Sequence, residues 1–346
     1  GQRDYYTGTN ILFSHGTVDP WTYLTKQLST EQHWSVVTVE VAGGTHCSDL
    51  HDVCDSSGNC SDERQRVQIL TQENIDQWLN GPFPVPDSIT ITDNVGQRPV
   101  WYDRVVAAPL SIQQNQPDDV VKSRARRSVG TKTSEKKSVF GCGSGWNQFT
   151  GKSTMDRVPR PVKDDMSANV QTDTVDQPWN HFDTTDNRMF QQRFFQNDMY
   201  TAVAADGIKY KSAPNFLMIG GDGTESETWV TNEDLAWMKY AKNVSANVYF
   251  LEHRYYAASK LGTNDLQYLT SAQMLYDVAR FISIVNRDRN QTGPWITFGG
   301  AYAGSLAAWS REWFPELILG AVGSSATVLA KTDFHEYLQV VESVLR

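Results

Sequence analysis

The segment Trp295-Ile296-Thr297-Phe298-Gly299-Gly300-Ala301-Tyr302-Ala303-Gly304 constrains the fold more than any other part of the chain. Trp295 to Phe298 reads as a short buried strand, and Ser305-Leu306-Ala307-Ala308-Trp309 onward reads as a helix that stops near Pro315. A strand that passes into a helix through so tight a turn lifts its apex side chain above a parallel sheet. The positions two residues to either side must be small, because the backbones pack closely there. Gly299 and Ala303 occupy those positions, which gives the outline of a nucleophile elbow. At its apex stands Ala301, a residue with no atom that can attack. On spacing alone, a plain glycine-rich turn between strand and helix is the competing reading.

A second pair of sites bears on that choice. Asn10-Ile11-Leu12-Phe13-Ser14 is an apolar strand running into His15-Gly16-Thr17-Val18-Asp19-Pro20-Trp21, and Val36-Val37-Thr38-Val39-Glu40-Val41 is another, running into Ala42-Gly43-Gly44-Thr45-His46. An acid and then a histidine, each just beyond a strand end, match the supporting members of an α/β-hydrolase triad.

Gly16-Thr17-Val18-Asp19-Pro20-Trp21, His46-Cys47-Ser48-Asp49-Leu50, Ile219-Gly220-Gly221-Asp222-Gly223, Glu252-His253-Arg254-Tyr255-Tyr256 and the elbow together resemble the lysosomal prolyl carboxypeptidase and dipeptidyl peptidase II family of serine peptidases. The likeness covers roughly residues 8 to 80 and 177 to 346. It implies a doubly wound, mostly parallel α/β-hydrolase sheet, a serine nucleophile at the position of Ala301, and action on peptide bonds at proline. By the same resemblance Asp19 is the orienting acid and His46 the base. The oxyanion donors are the main-chain N–H of Tyr302 and one from the Gly221 loop, and Trp21, Tyr255 and Tyr256 are walls of a proline pocket. No cofactor or metal is implied: Cys47 beside His46 lacks the second histidine of a zinc site. Peptides containing proline are the expected partners.

The family places the nucleophile before the acid and the histidine, and this chain reverses that order. A tandem protein is the expectation: residues 1–82 as the C-terminal part of one unit and 177–346 as the N-terminal part of the next, with 83–176 a Pro-rich, basic linker or pro-segment. Circular permutation is the alternative, but the stretch after Ala301 is too short for the helical cap and further strands of the family. The cap is therefore expected to be absent.

The linker carries Lys122-Ser123-Arg124-Ala125-Arg126-Arg127-Ser128. Arginines at the first, third and fourth positions resemble the site read by furin-like convertases, with cleavage after Arg127; a solvated basic run is the plain alternative. Cys47, Cys54 and Cys60 cluster beside His46, and a Cys54–Cys60 disulfide is the simplest pairing in an oxidising compartment. Cys142 sits alone in the linker. The sequons at Asn59, Asn243 and Asn290 agree with such a compartment, so a secreted or lysosomal protein is expected. A net charge of −9 disfavours nucleic acid as a partner, and no apolar run approaches the roughly 20 residues of a membrane span. The first residues are too polar for a signal peptide.

Elsewhere, residues 215–219 and 247–251 read as apolar strands, 271–282 and 62–78 as amphipathic helices, and 317–325 as one more strand. Such alternation implies parallel pairing and right-handed crossovers.

Overall fold

The computed structural model describes residues 8–25, 35–54, 59–81, 170–201, 211–223, 226–262 and 266–346. The strands are β1 (Ile11–Gly16), β2 (Val36–Val41), β3 (Val170–Pro178), β4 (Met189–Asn197), β5 (Asn215–Ile219), β6 (Asn247–Leu251), β7 (Trp295–Gly300) and β8 (Gly320–Ser324). The helices are α1 (Asp62–Asn80), α2 (Thr228–Thr231), α3 (Ala236–Asn243), α4 (Ser271–Arg289), α5 (Tyr302–Trp313) and α6 (Glu336–Leu345).

All eight strands form one sheet in the order β2-β1-β8-β7-β5-β6-β4-β3. The pairings from β2 through β6 are parallel, and β4 joins β6 and β3 in antiparallel register. This is the mixed, doubly wound sheet of an α/β-hydrolase. Strands β1, β5, β6 and β8 are buried along their whole length, as central parallel strands are when helices cover both faces.

Side chains on these strands alternate between two cores. Phe216, Met218, Val248, Phe250, Ile296 and Phe298 point to the face carrying α1 and α3. Leu217, Ile219, Tyr249, Leu251 and Trp295 point to the face carrying α4 and α5. Helix α1 opens on Ser61, whose side chain accepts from the Arg64 N–H at 3.2 Å, with Asp62 and Glu63 in its first turn. Its apolar face is Val67, Ile75 and Trp78, while Leu70 packs at the edge of the same core.

The two segments that the sequence reading separates, 1–82 and 177–346, both contribute strands to this sheet. β1 pairs in parallel with β8 through Ile11–Ala321, Leu12–Val322, Phe13–Gly323 and Ser14–Ser324. The Trp78 ring of α1 lies so close to Gly320 that a Cβ there would stand 2.4 Å from it. Arg311 donates to the Thr9 carbonyl at 2.8 Å, Asn10 to the Leu319 carbonyl at 3.0 Å, and Lys239 pairs with Asp52 at 2.6 Å. In the strand order the two N-terminal strands, β2 and β1, lie next to β8, the last strand in the chain.

Several boundaries differ from expectation. β3 begins at Val170, inside the segment assigned to the linker, and the strand expected over 317–325 is confined to Gly320–Ser324. Helix α4 runs past the expected 282 to Arg289, and ends on Asn290 in the left-handed conformation. Among the described residues no helix is long and apolar enough to cross a membrane.

Candidate active site

The elbow forms as its small residues require. Ala301 has φ 54° and ψ −124°, a conformation costly for any residue with a Cβ. The Ala301 N–H donates to the Ser324 carbonyl at 2.9 Å, and its carbonyl accepts from the Ser305 N–H at 3.1 Å. A Cβ on Gly299 would stand 2.1 Å from the Ala303 carbonyl oxygen, so only glycine fits there. The strained apex is thus held with no nucleophile on it. Ser305, the nearest serine in sequence, is fully buried within α5, and its Oγ has no hydrogen-bond partner among the described residues.

Asp19 follows β1 and is fully buried. Its Oδ1 accepts the Trp21 N–H at 2.9 Å, and both carboxylate oxygens lie 3.0 Å from His46 Nδ1. A carboxylate cannot donate, so Nδ1 carries the proton and Nε2 is left as the acceptor, the tautomer a general base needs. His46 lies beyond β2 with 29% of its side chain exposed. The two loops are locked backbone to backbone. The Val18 N–H donates to the Gly44 carbonyl at 3.0 Å, and a Cβ on Gly16 would meet the Gly44 oxygen at 2.0 Å.

The end of β8 joins this pair to the elbow. Ser324 receives the Ala301 N–H, while Ser325 Oγ accepts the Cys47 N–H at 2.9 Å and the Ser325 N–H donates to the Ser14 carbonyl at 2.6 Å. Below them the buried Asp49 carboxylate accepts Ser14 Oγ–H at 2.5 Å and Ser324 Oγ–H at 2.6 Å. A residue beside the histidine and a residue at the apex are therefore bonded to adjacent positions of one strand end.

Tyr302 is the first residue of α5, where a main-chain N–H has no intrahelical acceptor. The turn Gly220–Gly223 lies against the start of the same helix: a Cβ on Gly221 would stand 3.7 Å from Ala303 Cβ. Gly220 is fixed by its N–H donating to the Leu251 carbonyl at 2.8 Å. Asp222, next in the turn, is half-buried. Burial pushes its carboxyl pKa up, against the opposing effects of its own main-chain N–H and of His46.

The sequence reading left several residues around this site without a role. His253 Nδ1 lies 2.8 Å from the Arg254 carbonyl and so donates to it, leaving Nε2 to accept from the Tyr302 hydroxyl at 3.3 Å; Ser271 Oγ lies 3.0 Å from the same phenol. Burial lowers the His253 pKa to about 4, which keeps it neutral. Arg254 is buried and donates twice to Asp277, each at 2.7 Å, and His181 Nε2 donates to the same carboxylate at 2.7 Å. Burial lowers His181 to about 4 as well; burial alone would raise Asp277, but Arg254 outweighs it and holds that carboxyl low. The motif Glu252-His253-Arg254-Tyr255-Tyr256 signalled this region, but Asp277 and His181 carry no local pattern.

Of the expected pocket walls, Trp21 lies with its ring centroid 6.4 Å from His46 and packs on Phe334 and Tyr337 of the C-terminal segment at 5.7 and 5.3 Å. Tyr256 is 5.4 Å from His253, which in turn is 5.6 Å from Tyr302. Tyr255 turns the chain at φ 71°. The Cys54–Cys60 disulfide is formed, and Cys47 is disulfide-bonded too. Asn59, Asn243 and Asn290 are all exposed. Arg127 and Cys142 lie outside the described residues. Among the described residues no cluster of histidines, cysteines and carboxylates could hold a metal ion.

The profile of the serine carboxypeptidase S28 family matches residues 1–66 and 177–346. The chain is 39% identical over 183 residues to the putative serine protease F56F10.1 of Caenorhabditis elegans, covering 51% of this chain and 32% of that protein. It is 41% identical over 170 residues to the human thymus-specific serine protease, covering 47% and 31%. It is 32% identical over 170 residues to the lysosomal Pro-X carboxypeptidase of Bos taurus, covering 46% and 32%. The chain spans about a third of the length of these relatives.

Proposed function

Because this chain belongs to the serine carboxypeptidase S28 family, we propose that it is a peptide-binding member of that family, secreted or lysosomal, whose elbow is catalytically silent. The observation that carries the reading is the pairing of both Asp19 oxygens with His46 Nδ1, linked through the end of β8 to an apex that keeps its strained backbone and bears a methyl group. In an acyl-enzyme mechanism a serine at the apex attacks the carbonyl carbon while His46 Nε2 takes its proton. Asp19 steadies the imidazolium, and the N–H of Tyr302 with the Gly221 turn receives the developing oxyanion. Ala301 removes the attacking oxygen and leaves the rest able to hold a peptide.

Specificity for proline is part of this proposal. Its supports are the similarity to the bovine Pro-X carboxypeptidase and the half-buried aromatics Trp21 and Tyr256 near the histidine and the oxyanion turn. The disulfides and the exposed sequons support the compartment. We also propose that Asp19 and His46 serve the elbow of this same chain; the supports are the β1–β8 register and the bonds at Ser324 and Ser325. A tandem arrangement, in which each segment completes a neighbouring unit, is the competing reading. The test is calorimetry with proline-containing tripeptides and their alanine counterparts, with product analysis after long incubation. Binding that favours proline without cleavage is the expected result; cleavage at a steady rate by the pure chain would overturn the silent-site reading.

A further inference from the structure

The acid and the histidine lie before Gly81, and the elbow lies after Val170, so two stretches of chain meet along a seam. Its backbone part is the parallel register of β1 with β8. Three further bonds extend it. The Ala321 N–H donates to the Asn10 carbonyl at 2.9 Å, the Ser325 N–H to the Ser14 carbonyl at 2.6 Å, and the Leu329 N–H to the Leu24 carbonyl at 3.0 Å.

Side chains of both stretches fill the same cores on each face of the sheet. On the α1 face, Leu12, Val67 and Trp78 share a buried cluster with Trp237, Leu319 and Val322. On the α5 face, Ile11, Phe13 and Val36 share one with Ala308, Ala321 and Val328. Polar bonds cross as well: Asp49 accepts Ser324 Oγ–H at 2.6 Å, and the Asn243 side-chain amide donates to Gln72 Oε1 at 3.1 Å. Parting the two would expose β1, which is buried along its whole length, and would leave β8 as an unpaired apolar edge. A surface of this kind is a domain core cut in half, as in obligate complexes.

None of these contacts uses residues 82–169, which lie outside the described residues. Resting on the reading that Asp19 and His46 serve the elbow of this same chain, we propose that the two pieces hold one another without the peptide connection between them. The edge of β8 is then a docking surface whose occupant is the piece carrying β1, β2 and α1. Water added across the Arg127–Ser128 amide by a convertase gives a carboxylate at Arg127 and an ammonium group at Ser128. The product is a tight two-chain molecule, with the acid and histidine on one chain and the elbow and the Tyr302 N–H on the other. Cleavage therefore opens the connection and leaves the site assembled.

The experiment uses the full chain with the recognition sequence of a specific protease placed after Arg127, so that the cut is complete. Cys47→Ala is included because Cys47 is disulfide-bonded, while Cys54 and Cys60 pair within the N-terminal piece and cannot bridge the cut. After cutting, a denaturing gel shows two bands. Native gel filtration at about 1 μM should give one peak, at the mass of the uncut chain, with both pieces in equal amounts. Gly320→Ala, whose Cβ would stand 2.4 Å from the Trp78 ring, should raise the concentration at which the cut pieces part by about tenfold or more. Pieces that separate at that concentration, while the uncut chain is folded and monomeric, overturn the proposal and leave the shared-site reading standing. An uncut chain that elutes at twice its mass places β1 on a second copy and overturns the reading on which the proposal rests. Should Cys47→Ala lower the thermal midpoint, the chain with Cys47 in place, cut and then reduced before the column, serves instead.

Discussion

Ala301→Ser adds one oxygen to a backbone already in place, and its consequences can be worked from the geometry. The apex keeps φ 54° with alanine, so serine introduces no strain that is not already borne. The half-buried seat admits a hydroxyl, and stability should change by no more than about 0.5 kcal/mol. The catalytic gain is far larger. Loss of the nucleophile from a serine peptidase costs about 10⁶ in kcat, about 8 kcal/mol at 1.36 kcal/mol per decade. Restoring it beside a correctly protonated histidine should recover much of that factor. The variant is assayed by labelling with a fluorophosphonate and by hydrolysis of proline-containing peptides. His46→Ala in the Ala301→Ser background should abolish labelling. Asp19→Asn should reduce turnover by about 10⁴, because an amide can bond the wrong imidazole tautomer. Labelling of the isolated chain would mean that the acid and histidine of the first segment serve the elbow of the second. A folded Ala301→Ser variant that takes no label refutes this reasoning. A label that appears only in a longer protein would favour the tandem arrangement.

Gly320→Ala should lower stability by about 1–3 kcal/mol, since its Cβ would stand 2.4 Å from the Trp78 ring. A double-mutant cycle with Trp78→Ala should be strongly non-additive in urea unfolding, and additivity would mean that α1 does not dock on β8. His181 and His253, both lowered to about 4 by burial, bind fewer protons folded than unfolded. Stability should therefore be complete above pH 6.5 and fall as pH drops toward 4, by up to about 3 kcal/mol for each. His181→Gln should flatten that slope in urea midpoints taken across the range, and an unchanged slope would exclude His181 as a source. Cleavage after Arg127 should give a new terminus at Ser128 in N-terminal sequencing of material from convertase-active cells, and an uncut chain would leave the basic run as linker.

What was legible in the sequence follows from how local each signal is. The elbow, the Asp19 turn and the His46 turn could be read because each is a strand end followed by small residues, and the structure forms all three. Strand β3 could not be read: four of its first five residues are exposed, it pairs on one side only, and Val170-Gln171-Thr172-Asp173-Thr174 is polar enough to pass for linker. Sheet order was hidden for a different reason. Every one of β1, β5, β6 and β8 is an apolar run buried on both faces, and such runs carry no mark of their neighbour. The β1–β8 pairing is instead written in contacts distant in sequence, such as Trp78 on Gly320, Arg311 on Thr9 and Asn10 on Leu319. The same holds for the polar residues that seat the site. Asp49 matters because Ser14 and Ser324 come to it from two strands, and Asp277 because Arg254 and His181 do. A carboxylate whose partners are assembled only by the sheet has no pattern to find beforehand, whereas an apex that must be glycine-flanked declares itself even with alanine on it.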